Sequence, residues 1–376
     1  MRKLKYYLSL FLCCLLFISA SCSIGEIHQH QIDKKTSIAC SSQPSNHRTI
    51  DDFYFVHITD THIMHKLYDP EEVTTTIFKT VRETITSFQE KPAFIVITGD
   101  LVEWGGSGAS GALNYQALVD CLYENNNQFF ADEAYTIPVY TTPGNHDYNF
   151  NRNLKNYHRL IDSDHVTDHD RYILTHNEVS LFFMDSGPNY YADPAKWFHI
   201  LGDGLYDDDI QWLDEGLQQC SSQQKIVLMH HPAINDRNDQ GEMENVIARN
   251  REMFISLCEA YDVEAVLAGH AHHARVFDGD ENRYDTLPLN CSQHPTLFVQ
   301  TDDCKQGCHY RNISIRGDDV WIEDSVKLQV TEIQIIKELG VPQSVHLNYV
   351  DEILPPINKR CPCTLLHISN VKSVDN

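Results

Sequence analysis

The sequence is short of positive charge. Lysine and arginine number 29 against 53 aspartates and glutamates, giving a formal charge of −24. A surface of that sign repels polyanions, which argues against nucleic-acid binding through a basic face and against a nuclease. A small phosphate ester stays admissible if its site carries local positive charge. The 12 cysteines contain no CxxC pair, which disfavours a zinc knuckle. Internal repeats and low-complexity runs are absent. So is a long apolar stretch: the run Leu8–Ala20 falls short of the roughly 20 residues of a permanent membrane span.

That short run is informative in another way. Arg2, Lys3 and Lys5 precede it and small residues follow, the layout of an export signal over residues 1–22. Cys22 after Ser-Ala-Ser resembles a bacterial lipoprotein box, although Ser19 is a poor match to it. The expectation is an exported chain, either periplasmic or secreted after ordinary cleavage, or attached to the membrane through a lipidated Cys22. Residues 23–50 are polar without apolar period and read as a tether. Nine cysteines follow Cys22. Those in the last part of the chain predict a disulfide from Cys361 or Cys363 back to the region of Cys291, Cys304 and Cys308, stapling a C-terminal extension over 326–376. Cys361 and Cys363 are too close in sequence to bridge each other easily.

Between these ends, 51–325 reads as one catalytic domain. Phe53–Thr59 is an apolar strand. Val73, Ile77, Val81, Ile85 and Phe88 then repeat at helical spacing. Ala93–Thr98, "IPVYTT", Val179–Met184, Lys225–Met229 and Ala265–Ala268 are further strands, too continuously apolar to be half exposed. Helices are expected around Leu113–Tyr123, Asp208–Gln218 and Glu244–Tyr261. Strands alternating with helices define an α/β fold. "TLFVQT", "HYRNISIR" and "DDVWIEDS" read as consecutive antiparallel strands completing a second sheet.

The polar residues fall at the strand ends. The first strand runs into Asp60 and His62, the second into Asp100, and the third into Gly144, Asn145, His146 and Asp147. The later strands run into His230 and His231, then into His270, His272 and His273. Carboxyl ends of strands in α/β sheets converge on one crevice. Imidazole, carboxylate and amide oxygens suit Mn, Fe or Zn. Two such ions need a shared carboxylate, and Asp100 stands in the middle of the set. Gly144 is expected to supply a left-handed turn.

Asp-x-His, Gly-Asp, Gly-Asn-His-Asp, His and Gly-His-x-His, in this order over Phe53–Trp321, resemble the blocks of the calcineurin-like metallophosphoesterases. The resemblance implies two facing mixed β-sheets flanked by helices, a four-layer αββα sandwich. It implies two divalent metal ions, one held by Asp60, His62, Asp100 and His272, the other by Asp100, Asn145, His230 and His270. A hydroxide bridging the metals would be the nucleophile and His146 the general acid, on a phosphomonoester or phosphodiester. The alternative is an exported binding or surface protein that keeps the fold without catalysis. Purple acid phosphatases carry a metal-binding Tyr where Glu103 stands and lack His62. Protein Ser/Thr phosphatases carry Arg where Trp104 and Pro143 stand, and at the Glu103 position an Asp that orients the catalytic His. Glu103 is therefore expected to fix the tautomer of His146.

Other residues carry less. His65, His165, His169, His176 and His309 read as ordinary surface or capping residues. His231 and His273 adjoin ligands and could touch them or the substrate. Asp147 reads as a structural acid, and Asp185 and Ser186 as support for a turn. Tyr148 and Phe150 could stack on a base or sugar, or only pack. The Gly-rich stretch 105–115 and the region 148–178 are expected to shape the mouth. The substrate is a small phosphate ester, its identity open, and the sequence indicates no oligomeric state.

Overall fold

The computed structural model describes residues 52–122, 137–148, 154–161, 170–191 and 200–328. The export signal, the tether, Phe150, His165, His169, Cys361 and Cys363 lie outside them, and so does the expected disulfide. Cys291, Cys304 and Cys308 are buried thiols.

The chain forms β1 (Phe53–Ile58), α1 (Val73–Ser87), β2 (Ile95–Thr98), α2 (Ala109–Leu122), β3 (Val139–Thr142), α3 (Asn145–Tyr148) and α4 (Lys155–Leu160). Next come β4 (Arg171–His176), β5 (Val179–Met184), β6 (Asn189–Tyr191), β7 (Ile200–Gly204), α5 (Asp207–Gln219), β8 (Gln224–Leu228), β9 (Ile247–Arg249) and α6 (Arg251–Ala260). The last are β10 (Ala265–Ala268), β11 (Arg275–Phe277), β12 (Leu289–Asn290), β13 (Leu297–Gln300), α7 (Cys304–Gly307), β14 (His309–Arg316) and β15 (Asp319–Lys327). Sheet I has the order β12-β15-β14-β1-β2-β3 and sheet II the order β11-β13-β10-β8-β5-β4; β6, β7 and β9 form a small third sheet. Both large sheets are mixed: β1, β2 and β3 run parallel, β14 antiparallel to β1, and β5, β8, β10 and β13 parallel.

The layering follows from the two-residue period of a strand. Phe55, Val96, Ile313 and Ile315 of sheet I share one core with Leu181, Phe183, Ile226, Leu228, Ala265, Leu267, Leu297 and Val299 of sheet II. Their alternates face outward. Val56, Ile58, Ile95 and Ile97 pack with Phe78 and Val81 of α1 and Leu118 of α2. Phe182, Val227, Val266 and Phe298 pack with Leu213 and Leu217 of α5 and Phe254, Ile255 and Cys258 of α6. Both faces of each central strand are covered, so the strands read as unbroken apolar runs. The architecture is the expected helix–sheet–sheet–helix sandwich.

Two expectations are corrected. "TLFVQT" does not continue into an antiparallel meander. Its residues Leu297–Gln300 are wholly buried and β13 lies parallel to β10 in sheet II, while β14 and β15 return to sheet I. The helix expected from Glu244 begins only at Arg251. Asn250 adopts a left-handed backbone (φ 55°) that halts the helix, and Ile247–Arg249 pair with β7 instead. In addition, β15 runs past residue 325, the expected edge of the domain.

Polar bonds tie the sheets together beside the strand ends. The buried His57 on β1 contacts Thr98 Oγ1 (2.7 Å) and Thr301 Oγ1 (2.8 Å), the latter just after β13. The fully buried Arg311 on β14 donates to Thr301 Oγ1, Gln300 O and Glu323 O. Burial, and secondarily Arg311, push the His57 pKa down to about 3. The unfolded chain, with an ordinary imidazole, therefore takes up a proton first. His57 thus costs no stability above about pH 6.5, and stability falls as pH drops from there toward 3. In metal-free protein, urea unfolding between pH 6.5 and 5 should lose stability more steeply in the wild type than in His57→Gln, by about 1 kcal/mol per pH unit. Equal slopes would contradict this.

Candidate metal centre

Five strands deliver the polar residues to one end of the sandwich, three from sheet I and two from sheet II. The loops are laced through their backbones. Asp60 N donates to Gly99 O (3.2 Å), His62 N to Asp100 O (2.8 Å), and Gly269 N to His230 O (3.0 Å). Asp60, His62, Asp100, His270 and His272 all adopt left-handed backbone, with φ between 44° and 63°. Such conformations are costly for residues with a Cβ and persist only where the surroundings impose them.

Each donor is oriented by its other atoms. Asp100 Oδ1 accepts from His146 N (2.8 Å), which leaves Oδ2 facing His62 Nε2 (3.5 Å) and His230 Nε2 (3.4 Å). Asp60 Oδ2 accepts from Thr59 Oγ1 (2.7 Å) and His270 N (2.8 Å), leaving Oδ1 toward His272 Nε2 (3.2 Å) and His62 Nε2 (3.7 Å). His230 Nδ1 lies 2.9 Å from Thr98 O and must donate to it. Its Nε2, 3.1 Å from Asn145 Oδ1, is then the atom that would coordinate on losing its proton. Asp60 Oδ1, His62 Nε2 and His270 Nε2 are buried and make no hydrogen bond. Buried polar atoms of this kind are costly unless a partner arrives.

The electrostatics agree. Burial alone would lower the pKa of His62, yet Asp60, Glu103 and Asp100 raise it to about 10; burial likewise opposes Asp100, which raises His230 to about 9. His270 goes the other way, to about 3, through burial and the nearby His230. Asp60 and Asp100 are held well below the usual carboxylate range by these imidazoles despite their burial. The cluster recruits positive charge. Asp60, His62 and His272 form one group of donor atoms within 4.8 Å of one another, and Asp60, Asp100 and His230 another. Overlapping groups of borderline-to-hard donors fit divalent cations.

The structure gathers all seven expected ligands, but it assigns Glu103 and Gly144 differently. The Glu103 carboxylate lies 2.8 Å from His62 Nδ1 and 2.7 Å from Lys305 Nζ. Only its main-chain carbonyl reaches His146, accepting from Nδ1 at 2.7 Å, while the carboxylate stays 3.9 Å away. Gly144 does not take a left-handed turn. A Cβ there would run into the backbone N and Oδ1 of Asp100, so close approach is what requires glycine.

The neighbours sort themselves. Asp147 is buried and accepts from Gly144 N, Leu101 N and Tyr115 OH, as a structural acid should. Ser186 Oγ sits 2.8 Å from His231 Nδ1, and the His231 ring lies 4.4 Å from that of His270. Tyr148 is buried and bonded to Asp185, so it offers no stacking face. Gly105 N and Gly106 N donate to His146 O and Asp147 O. Sequence reasoning passed over Thr59, Thr98, Lys305 and Asp303, whose Oδ2 is 3.8 Å from His272 Nδ1. No motif marks them.

A four-layer sandwich thus carries this donor set at its strand ends. The sequence matches the calcineurin-like phosphoesterase family over residues 53–274, more than half of the chain, and the protein belongs to that family. It is 24% identical over 223 residues to a protein of Rhodococcus erythropolis named a probable cyclic nucleotide phosphodiesterase, a match covering 59% of this chain and 65% of the relative. Among solved structures, it resembles a purple acid phosphatase from yellow lupin (TM-score 0.49, 10% identity, 74% of this chain and 53% of that one). It also resembles the calcineurin-like phosphoesterase YfkN from Bacillus subtilis (TM-score 0.37, 12% identity, 74% and 90%).

Gly144→Ala should force Asp100 out of place. Mn(II) affinity, read by titration calorimetry, is expected to fall by about tenfold or more. Unchanged affinity would show that the glycine is dispensable.

Proposed function

We propose that the protein hydrolyses small phosphate esters, phosphodiesters in preference, at a pair of divalent ions. Asp60, His62, Asp100 and His272 would hold one ion, and Asp100, Asn145, His230 and His270 the other. The carrying observation is Asp100 Oδ2, which faces imidazoles from both halves of the set. Bound there, divalent cations supply Lewis acidity toward phosphoryl oxygens and make water acidic enough to attack near neutral pH.

The protein's own contribution centres on His146. Its Nδ1–H is committed to the Glu103 carbonyl, so the proton that moves is the one on Nε2. The imidazolium gives that proton to the departing alkoxide and keeps the other. With its side chain 34% exposed, His146 is open to substrate, whereas His62 and His230 are buried and the exposed His272 is one of the proposed ligands. Among the described residues, Lys305 and Arg275 are paired with Glu103 and Asp236, so neither offers an unpaired charge to a dianionic monoester. That supports a diester, as does the name of the Rhodococcus relative.

With Mn(II), turnover is expected on bis-nitrophenyl phosphate and cyclic nucleotides above that on nitrophenyl phosphate. His146→Asn should lower kcat by about 10²-fold or more with metal content unchanged. A metal-loaded wild type inert on the whole panel would reject the activity, and loss of metal in His146→Asn would reject its role. Export belongs to the same proposal, supported by the pattern of residues 1–22. Sequencing the mature N-terminus checks it, and an intact Met1 would refute it.

A further inference from the structure

The exposed aromatic side chain beside the loop that holds the proposed proton donor is not the one the sequence suggested. Tyr148 is buried, but Trp104 is 38% exposed, and with Leu67 (63%) and Met253 it completes the exposed large apolar residues among those described. Tyr68 packs perpendicular to Trp104, with ring centroids 5.5 Å apart.

The position of Trp104 is fixed from both sides. Glu103 O binds the His146 ring at Nδ1, and Gly105 N donates to His146 O (2.9 Å), so Trp104 lies between the two residues that hold His146. The fully buried Asn114 on α2 ties both aromatic loops to the scaffold. Its Oδ1 accepts from His65 N (2.9 Å), and its Nδ2 donates to Trp104 O (3.3 Å). Ile63 pairs with Val102, and Glu103 N donates to Ile63 O. A solvent-facing indole costs hydrophobic free energy in the free protein, yet this one is anchored in place rather than folded away.

We propose that Trp104, backed by Tyr68, is the platform on which the base of a nucleotide substrate stacks. The inference rests on the phosphoesterase reading of the site. A group that protonates a leaving alcohol must lie beside that alcohol, so the organic part of the ester is on the His146 side, along which the main chain on both sides of the exposed Trp104 runs. Stacking on an indole selects a flat ring. Among small biological phosphate esters, those bearing a planar aromatic ring are chiefly nucleotides.

The test compares AMP with ribose 5-phosphate, which differ by the base alone, as ligands of the Mn(II)-loaded full chain in titration calorimetry. Wild type should bind AMP about tenfold tighter than ribose 5-phosphate. Trp104→Ala should erase the difference without weakening ribose 5-phosphate, and Trp104→Phe should retain most of it. Equal affinities in the wild type, or a base preference that survives in Trp104→Ala, overturn the proposal. Bis-nitrophenyl phosphate turnover by the same wild-type preparation reads the chemistry separately. Turnover without base preference rejects the platform alone, and base preference in a preparation that turns over neither bis-nitrophenyl phosphate, nitrophenyl phosphate nor cyclic nucleotides rejects the hydrolase reading.

Discussion

The site depends on how the two oxygens of one buried carboxylate are divided. Asp100 Oδ1 is fixed by the backbone N–H of His146, and this prevents the carboxylate from turning. Oδ2 is thereby aimed between His62, from the loop after β1 in sheet I, and His230, from the loop after β8 in sheet II. A buried carboxylate is tolerable only with compensating charge. In the free protein that compensation comes from protonated imidazoles, which are the atoms a metal needs deprotonated. Binding of the proposed ions would therefore release protons, and their affinity would be coupled to pH through the same residues that build the site.

The strained backbones belong to this arrangement. Left-handed backbone at Asp60, His62, Asp100, His270 and His272 re-aims each side chain. The loop-to-loop hydrogen bonds from Asp60 N, His62 N and Gly269 N hold the backbones there. The apolar layers beneath supply the rigidity. Core strands such as β2, β5 and β10 are buried along their whole length, so the loops are mounted on elements that do not yield.

The strands were legible because burial on both faces leaves unbroken apolar runs, and the candidate site because Asp, Asn and His cluster at the ends of those runs. Residue type carried that signal. What was illegible depended on geometry that residue type does not encode. The membership of β13 in sheet II is decided by which neighbour covers Leu297 and Val299, and the start of α6 by one backbone angle at Asn250. Gly144 reads as a turn glycine in sequence, yet the structure needs its missing Cβ for contact with Asp100. Lys305 arrives from α7, far along the chain from Glu103 and attached to no motif.

Glu103 shows why an acid suits that position better than a role read from analogy. Burial would raise its pKa, but His62 and Lys305 bring it down to about 2, so it stays charged at any working pH. As an anion it fixes His62 through Nδ1 and keeps Nε2 directed at Asp60 and Asp100. Its carbonyl, which no side-chain substitution removes, holds His146. One residue thus connects a candidate metal ligand to the proposed proton donor by two separable contacts. The side chain governs the metal end and the main chain governs the acid end. A change of side chain at 103 should therefore reach His146 only through whatever shift it forces in the backbone between Val102 and Gly105, the segment that also carries the exposed Trp104.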